Sequence, residues 1–154
     1  MSNPESVTTV TALPSVDPET SEYREPPHNI EADQGLLGAV LVNNRAYERV
    51  SEYLAPDHFA DPVHGRIFAA CGRLIEKGQI ANPVTLKSLF DQDEALQEAG
   101  GAQYLIRLAA SVVTVINADD YGQAIYDTFL RRELIDLGGE IVNRLGEGRV
   151  GGGG

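Results

Sequence analysis

At 154 residues, 42% of them hydrophobic, the chain has room for one ordinary domain and perhaps an appendage. The formal net charge is −11, and the only lysines are Lys77 and Lys87. Such a surface repels phosphate backbones, which argues against direct, salt-driven binding of DNA or RNA by this chain. A single cysteine, Cys71, rules out an internal disulfide. No run of 18 apolar residues is present, and the acidic start Met1-Ser2-Asn3-Pro4-Glu5 is unlike a signal peptide, so a cytoplasmic location is expected.

Residues 1–25 combine three prolines, many Ser and Thr, and five acids against Arg24, with no hydrophobic period. They are expected to be a disordered acidic tail. At Pro26 the character changes. Asn29 is placed to cap a helix, Glu31 and Asp33 put acid in its first turn, and Leu36, Leu37, Val40 and Leu41 form an apolar stripe. Asn43 and Asn44 are expected to close it in a left-handed conformation. His28 is expected to be a lead-in loop residue packing on this helix.

Arg45 to Leu54 predicts a short helix stopped by Pro56. Asp61-Pro62 is an N-cap followed by proline in the first helical position, and Val63, Ile67, Ala70, Cys71, Leu74 and Ile75 keep a 3.6-residue period up to Gly78. Asn82-Pro83 repeats the start signal before Val84, Leu86, Leu89 and Phe90. Gly100-Gly101 breaks the chain ahead of Tyr104, Leu105, Leu108 and Ala109. The only β-branched run, Val112 to Ile116, has no partner strand and reads as a helix end and linker. The expectation for 26–113 is a small all-α globule of five or six short, orthogonally packed helices.

From Asn117 to Leu145 the apolar period is continuous, through Tyr121, Ile125, Phe129, Leu130, Leu134, Ile135, Leu137, Ile141, Val142 and Leu145. That is roughly 40 Å of helix, against a globule of about 25–30 Å, so the helix is expected to project. Its far half would leave Leu134, Ile135, Ile141 and Val142 uncovered. Gly138-Gly139 costs about 1 kcal/mol per glycine in helix propensity, and small residues there would admit another helix. The bland alternative is a frayed helix end. The favoured one is a docking face for a partner helix, most simply from an identical chain. Residues 146–154 have the composition of a flexible linker.

The chain contains no phosphate-loop motif and no Gly-Lys dipeptide. His58, Asp61, His64 and Cys71 are zinc-ligand types, but His58 precedes the helix start and Cys71 fits the core stripe, so structural roles are expected. Asp93-Glu94 and Asp119-Asp120 sit at helix starts, where dipole compensation explains them. Ser51, Ser88 and Ser111 lack a histidine neighbour and a strained turn.

Several segments together resemble the opening of the bacterial replicative DNA helicase of the DnaB family. They are Pro27-His28-Asn29-Ile30-Glu31-Ala32-Asp33-Gln34, with Leu36-Leu37-Gly38-Ala39; Asp57-His58-Phe59, with Asp61-Pro62, His64 and Ile67-Phe68; Pro83-Val84-Thr85-Leu86; Gly100-Gly101 with Tyr104-Leu105; and Asn117-Ala118 with Tyr121. The similarity runs from about residue 26 to 145. It implies an N-terminal domain made of a helical globule and a helical hairpin, of which 117–145 would be the first helix. Hairpins of that family pair between subunits into a collar of three dimers on a hexameric motor, and the collar docks primase. A helicase loader is a further possible partner.

ATP and magnesium belong to the motor domain, which has no counterpart here, so no cofactor, metal or catalytic residue is expected in this chain. Against that pattern the second hairpin helix and the motor have no counterpart in this sequence, so the chain is expected to be a fragment or a truncated relative. Protein-contact residues are expected at Tyr104, Leu134, Ile135, Gly138, Ile141 and Val142. The alternatives are a free-standing adaptor that binds the full-length helicase ring, and, from another class, a small enzyme with an acidic site.

Overall fold

The structure, a computed structural model, describes residues 29–112 and 117–153, the side chains of 148–153 excepted. The expectations for residues 1–25, for His28 and for Val113 to Ile116 lie outside the described residues. Among the described residues seven α-helices follow in order: α1 (Ile30–Val42), α2 (Arg45–Val50), α3 (Pro62–Glu76), α4 (Pro83–Phe90), α5 (Glu94–Ala99), α6 (Gly101–Ala110) and α7 (Ala118–Gly153). A 3-10 turn, Pro56–His58, lies between α2 and α3. No strand occurs among the described residues.

The helix starts follow from local chemistry. Asn29 accepts from the Ala32 N–H at 2.9 Å, Asp61 from Val63 at 2.8 Å, and Asp93 from Leu96 at 3.0 Å. Asn82 accepts from both Val84 and Thr85 while Thr85 Oγ1 accepts back from the Asn82 N–H, closing a capping box. Asn117 Oδ1 accepts from the Asp119 N–H at 3.1 Å at the head of α7. At the end of α3, Gly78 takes φ 78°, and the Gln79 and Gly78 N–H groups reach back to the Leu74 and Ile75 carbonyls. That is a Schellman closure.

Three boundaries differ from expectation. Asn43 and Asn44 do not enter the left-handed region: φ is −142° and −62°. Asn44 closes the corner with its side chain instead. Its amide donates to the Val40 and Ala81 carbonyls, and its oxygen accepts from the Ala81 N–H, which ties the α1–α2 corner to the strand of chain before α4. The second helix ends at Val50, not Leu54, and a turn carries the chain to Pro56. Helix α7 continues past Leu145 to Gly153. Glycine lowers helix stability without blocking the backbone hydrogen bonds, and no proline intervenes to stop their propagation.

The described residues divide into two units, one that runs up to Glu133 and a second that begins at Leu134. In the first, α1 is the central element. Leu36, Leu37 and Val40 are fully buried, and Ala32, Ala39 and Leu41 nearly so. The helix is therefore covered on almost every side, beyond the single stripe its spacing predicts. Helices α3 and α6 pack against it. A Cβ at Gly38 would meet the Leu108 carbonyl of α6, and one at Gly35 would lie 2.6 Å from the Tyr121 ring of α7. The core is completed by Ile67, Phe68 and Cys71 of α3, Leu86 of α4, Leu96 of α5, Leu105 of α6 and Ile125 of α7. At about 1.5–3 kcal/mol per buried large side chain, this cluster sustains a unit of six short helices that would be marginal in isolation. The described part of the second unit is the C-terminal stretch of α7, from Leu134.

Candidate functional site

Along α7 the apolar residues Leu134, Ile135, Ile141, Val142 and Leu145 recur with Gly138 at i, i+1, i+4, i+7, i+8 and i+11, which places them on one helical face. All are exposed: Leu134 to 66%, Val142 to 67% and Leu145 to 68%. No atom stands within 4 Å of a Cβ built at Gly138. Acidic and basic residues, Glu133, Asp136, Glu140 and Arg144, are interleaved with the stripe. A contiguous apolar face of this length is unusual on a surface that meets only water.

The amino-terminal part of α7 is held quite differently. Ala118 and Ile125 are buried, and Tyr126 and Phe129 close over the 3-10 turn, with the His58 ring 4.3 Å from the Phe129 ring and 5.1 Å from that of Tyr126. His58 Nδ1 accepts from the Ala55 N–H at 2.9 Å, and Arg132 donates to the His58 carbonyl at 3.2 Å. Burial is the main cause that lowers the pKa of His58, reinforced by Arg132 and opposed by Asp57.

Of the six predicted contact residues, Leu134, Ile135, Gly138, Ile141 and Val142 share that one exposed face. Tyr104 belongs to α6 of the first unit. It is half-buried, its hydroxyl lies 2.5 Å from His64 Nε2 and accepts from Gln34 at 3.2 Å, and the Arg107 guanidinium sits 5.6 Å from its ring centre. Burial is the first cause that raises its pKa. Its ring lies stacked on that of His64, 5.9 Å between centres.

The most heavily buried polar pair is Asp33 with His64, read from the sequence as a dipole acid and as one of four zinc-ligand types. Asp33 is 1% and His64 2% exposed. Asp33 Oδ2 lies 2.9 Å from His64 Nδ1, and its two oxygens also accept from the Ala60 and Asp61 N–H groups at 3.4 and 3.2 Å. A signal was present in the sequence. Asp33 stands three and four residues before Leu36 and Leu37, so it lies on the buried stripe.

The four zinc-ligand types have separate roles. His58 packs on α7, Asp61 caps α3, His64 bonds Asp33, and Cys71 is fully buried with its thiol pushed up to about 12 by burial. So buried a thiol packs as a small hydrophobic side chain. Among the described residues no three His, Cys, Asp or Glu side chains gather as a metal site. The serines donate to backbone carbonyls one turn away: Ser51 to Glu48, Ser88 to Thr85 and Ser111 to Leu108. No helix among the described residues is long and apolar enough to cross a membrane.

Comparison with known proteins agrees with the fold. Residues 25–127 match the family described as DnaB-like helicase N terminal domain. Among curated relatives, the replicative DNA helicase DnaB of Rickettsia felis is 48% identical over 117 residues, which is 76% of this chain and 24% of that protein. The corresponding protein of a Nostoc species is 35% identical over 120 residues, 78% of this chain and 14% of that protein. The chain thus spans about a quarter or less of the curated relatives it matches. Among solved structures, the crystal structure of the N-terminal domain of DnaB helicase from Mycobacterium tuberculosis superposes with a TM-score of 0.71 at 33% identity, covering 77% of this chain and 86% of that one.

Proposed function

Because this chain belongs to the DnaB-like helicase N-terminal domain family, we propose that it is a protein-contact module of a replicative DNA helicase, pairing subunits, organising the ring and docking primase. The observation that carries the reading is the exposed apolar face of α7, Leu134 to Leu145. Covering the exposed halves of five such side chains is worth roughly 4–7 kcal/mol, scaled from values for full burial. Lost translational and rotational freedom is of the same order. A concentration-dependent dimer is the expected result.

The chain's acidic surface favours protein partners over nucleic acid. Primase is proposed to contact Ile135 and Ile141 on α7, and the ring of Tyr104 on α6; a helicase loader is a further proposed partner. ATP and magnesium are assigned to the rest of the helicase, and this chain is proposed to have no catalytic role of its own. The setting is the cytoplasm, at the replication machinery.

Sedimentation of the purified chain over a wide concentration range tests the pairing. A single monomeric species at every concentration would refute it. Capture by the helicase-binding domain of the cognate primase tests docking separately. Unchanged capture after Ile135→Asp with Ile141→Asp removes those residues from the primase contact.

A further inference from the structure

The apolar face of α7 is wider than one helix covers. Leu137 and Ile135 bound it, and at 3.6 residues per turn they stand about 160° apart around the helix. A single packed helix takes a narrower seam, two positions in every seven. The two edges of the face differ in chemistry. One carries Ile135, Gly138 and Val142 and is bordered by Gly139 and Gly146. The other carries Leu134, Leu137 and Ile141, all exposed.

Written as a heptad, Leu134 and Ile141 take the first position and Leu137 the fourth. The seventh position is then Glu133, Glu140 and Glu147, each of them exposed. Asp136 adds to this acidic row and Arg144 subtracts from it. Such a row selects its neighbour, because charges in the seventh position meet the fifth or the seventh position of the packed helix. A second copy of α7 answers it badly. Antiparallel, glutamates face glutamates. Parallel and in register, Glu133 and Glu140 come beside Gly138 and Leu145, which bring no charge. The other helices of the globular unit do not answer it either, since their large apolar side chains are spent on the core.

We infer that the edge formed by Leu134, Leu137 and Ile141 docks a helix of a different protein, one whose own apolar seam is flanked by lysine or arginine. The edge formed by Ile135, Gly138 and Val142 is left for the identical chain. The inference rests on the proposed function only in taking α7 as a contact face. The glutamate row sets which partner is accepted, and the apolar seam holds it.

Synthetic heptad peptides, added to the full chain, test this. Two share leucine and isoleucine at the seam and carry either lysine or glutamate at the flanking positions; a third has the lysine peptide's composition in scrambled order. The lysine peptide is expected to bind about tenfold more tightly than the glutamate peptide. Its advantage shrinks as salt is added, and the scrambled peptide does not bind. Glu133→Lys with Glu140→Lys and Glu147→Lys leaves the chain acidic overall, yet it reverses the preference towards the glutamate peptide. Sedimentation of that variant shows self-association unchanged. Equal binding of the two heptad peptides, binding of the scrambled one, or a variant that keeps the lysine preference overturns the inference. Loss of self-association in the variant overturns it too, because the glutamates then belong to the pairing face. A chain that never pairs but keeps the peptide preference refutes the pairing alone and supports this docking edge.

Discussion

Asp33 and His64 meet at 2.9 Å, their side chains 1% and 3% exposed. Removing the carboxylate strands the His64 Nδ1–H and the Ala60 and Asp61 N–H groups together. Asp33→Ala is expected to destabilise the globular unit by about 3–5 kcal/mol, the usual effect of breaking one side of a buried polar pair. Asp33→Asn, which keeps one acceptor oxygen, should lose less. Urea unfolding followed by circular dichroism reads both.

Two glycine substitutions are expected to act in opposite directions. At Gly38 a methyl group would collide with the Leu108 carbonyl. Overpacking of about 1–3 kcal/mol there outweighs a helix-propensity gain of about 1 kcal/mol, so Gly38→Ala lowers the melting temperature. At Gly138 nothing lies within 4 Å. Gly138→Ala therefore keeps the propensity gain and raises the helicity of the isolated chain at low concentration.

Asn44→Ala opens three hydrogen bonds at once, to Val40 and to both backbone groups of Ala81. A loss of about 1–3 kcal/mol follows from leaving such groups unsatisfied. Hydrogen exchange should localise the loosening to the α1–α2 corner and the stretch before α4, while the core of α3 keeps its protection.

His58 gives stability a pH dependence of definite sign. Its pKa is lowered from 6.5, chiefly by burial, so below that value the unfolded chain binds the proton more readily than the folded one. The contribution is complete above pH 6.5 and is lost as pH falls through the lowered value. His58→Gln retains an acceptor for the Ala55 N–H but does not titrate. Its unfolding midpoint should fall less steeply between neutral and mildly acidic pH than that of the parent chain.

Ile135→Asp combined with Ile141→Asp changes two exposed positions. The stability of the globular unit should move by no more than about 0.5 kcal/mol per site. Self-association should fall sharply in the same sample, as read by sedimentation. A large loss of stability with unchanged association would contradict the assignment of this face.

The helix starts were legible residue by residue. Asn29, Asp61, Asn82 and Asn117 each accept from an N–H two or three residues ahead, and so short a reach is written in neighbouring letters; Asp93, read only as a dipole acid, caps its helix in the same way. The exposed face of α7 was legible for the same reason, since a 3.6-residue period needs no knowledge of the rest of the chain. The closure at Asn43 and Asn44 was not. Asn44 turns to Ala81, 37 positions away, and a local rule for asparagine has no access to that partner. Nor does the apolar run after Asn82-Pro83 say which of its residues are covered: Leu86 is fully buried, while Val84 is 80% exposed.

By itself, then, the order of residues determined an all-α chain with capped short helices, one long apolar-striped helix and a recognisable family, because caps, periods and motifs act over a few positions. Only the folded arrangement decided which polar groups go inside. Asp33, His64 and Tyr104 come from three helices up to 71 positions apart, and their meeting depends on how α1, α3 and α6 pack. Burial is a property of distant neighbours, and it turned a helix-dipole acid and a candidate zinc ligand into a single internal hydrogen-bonded chain.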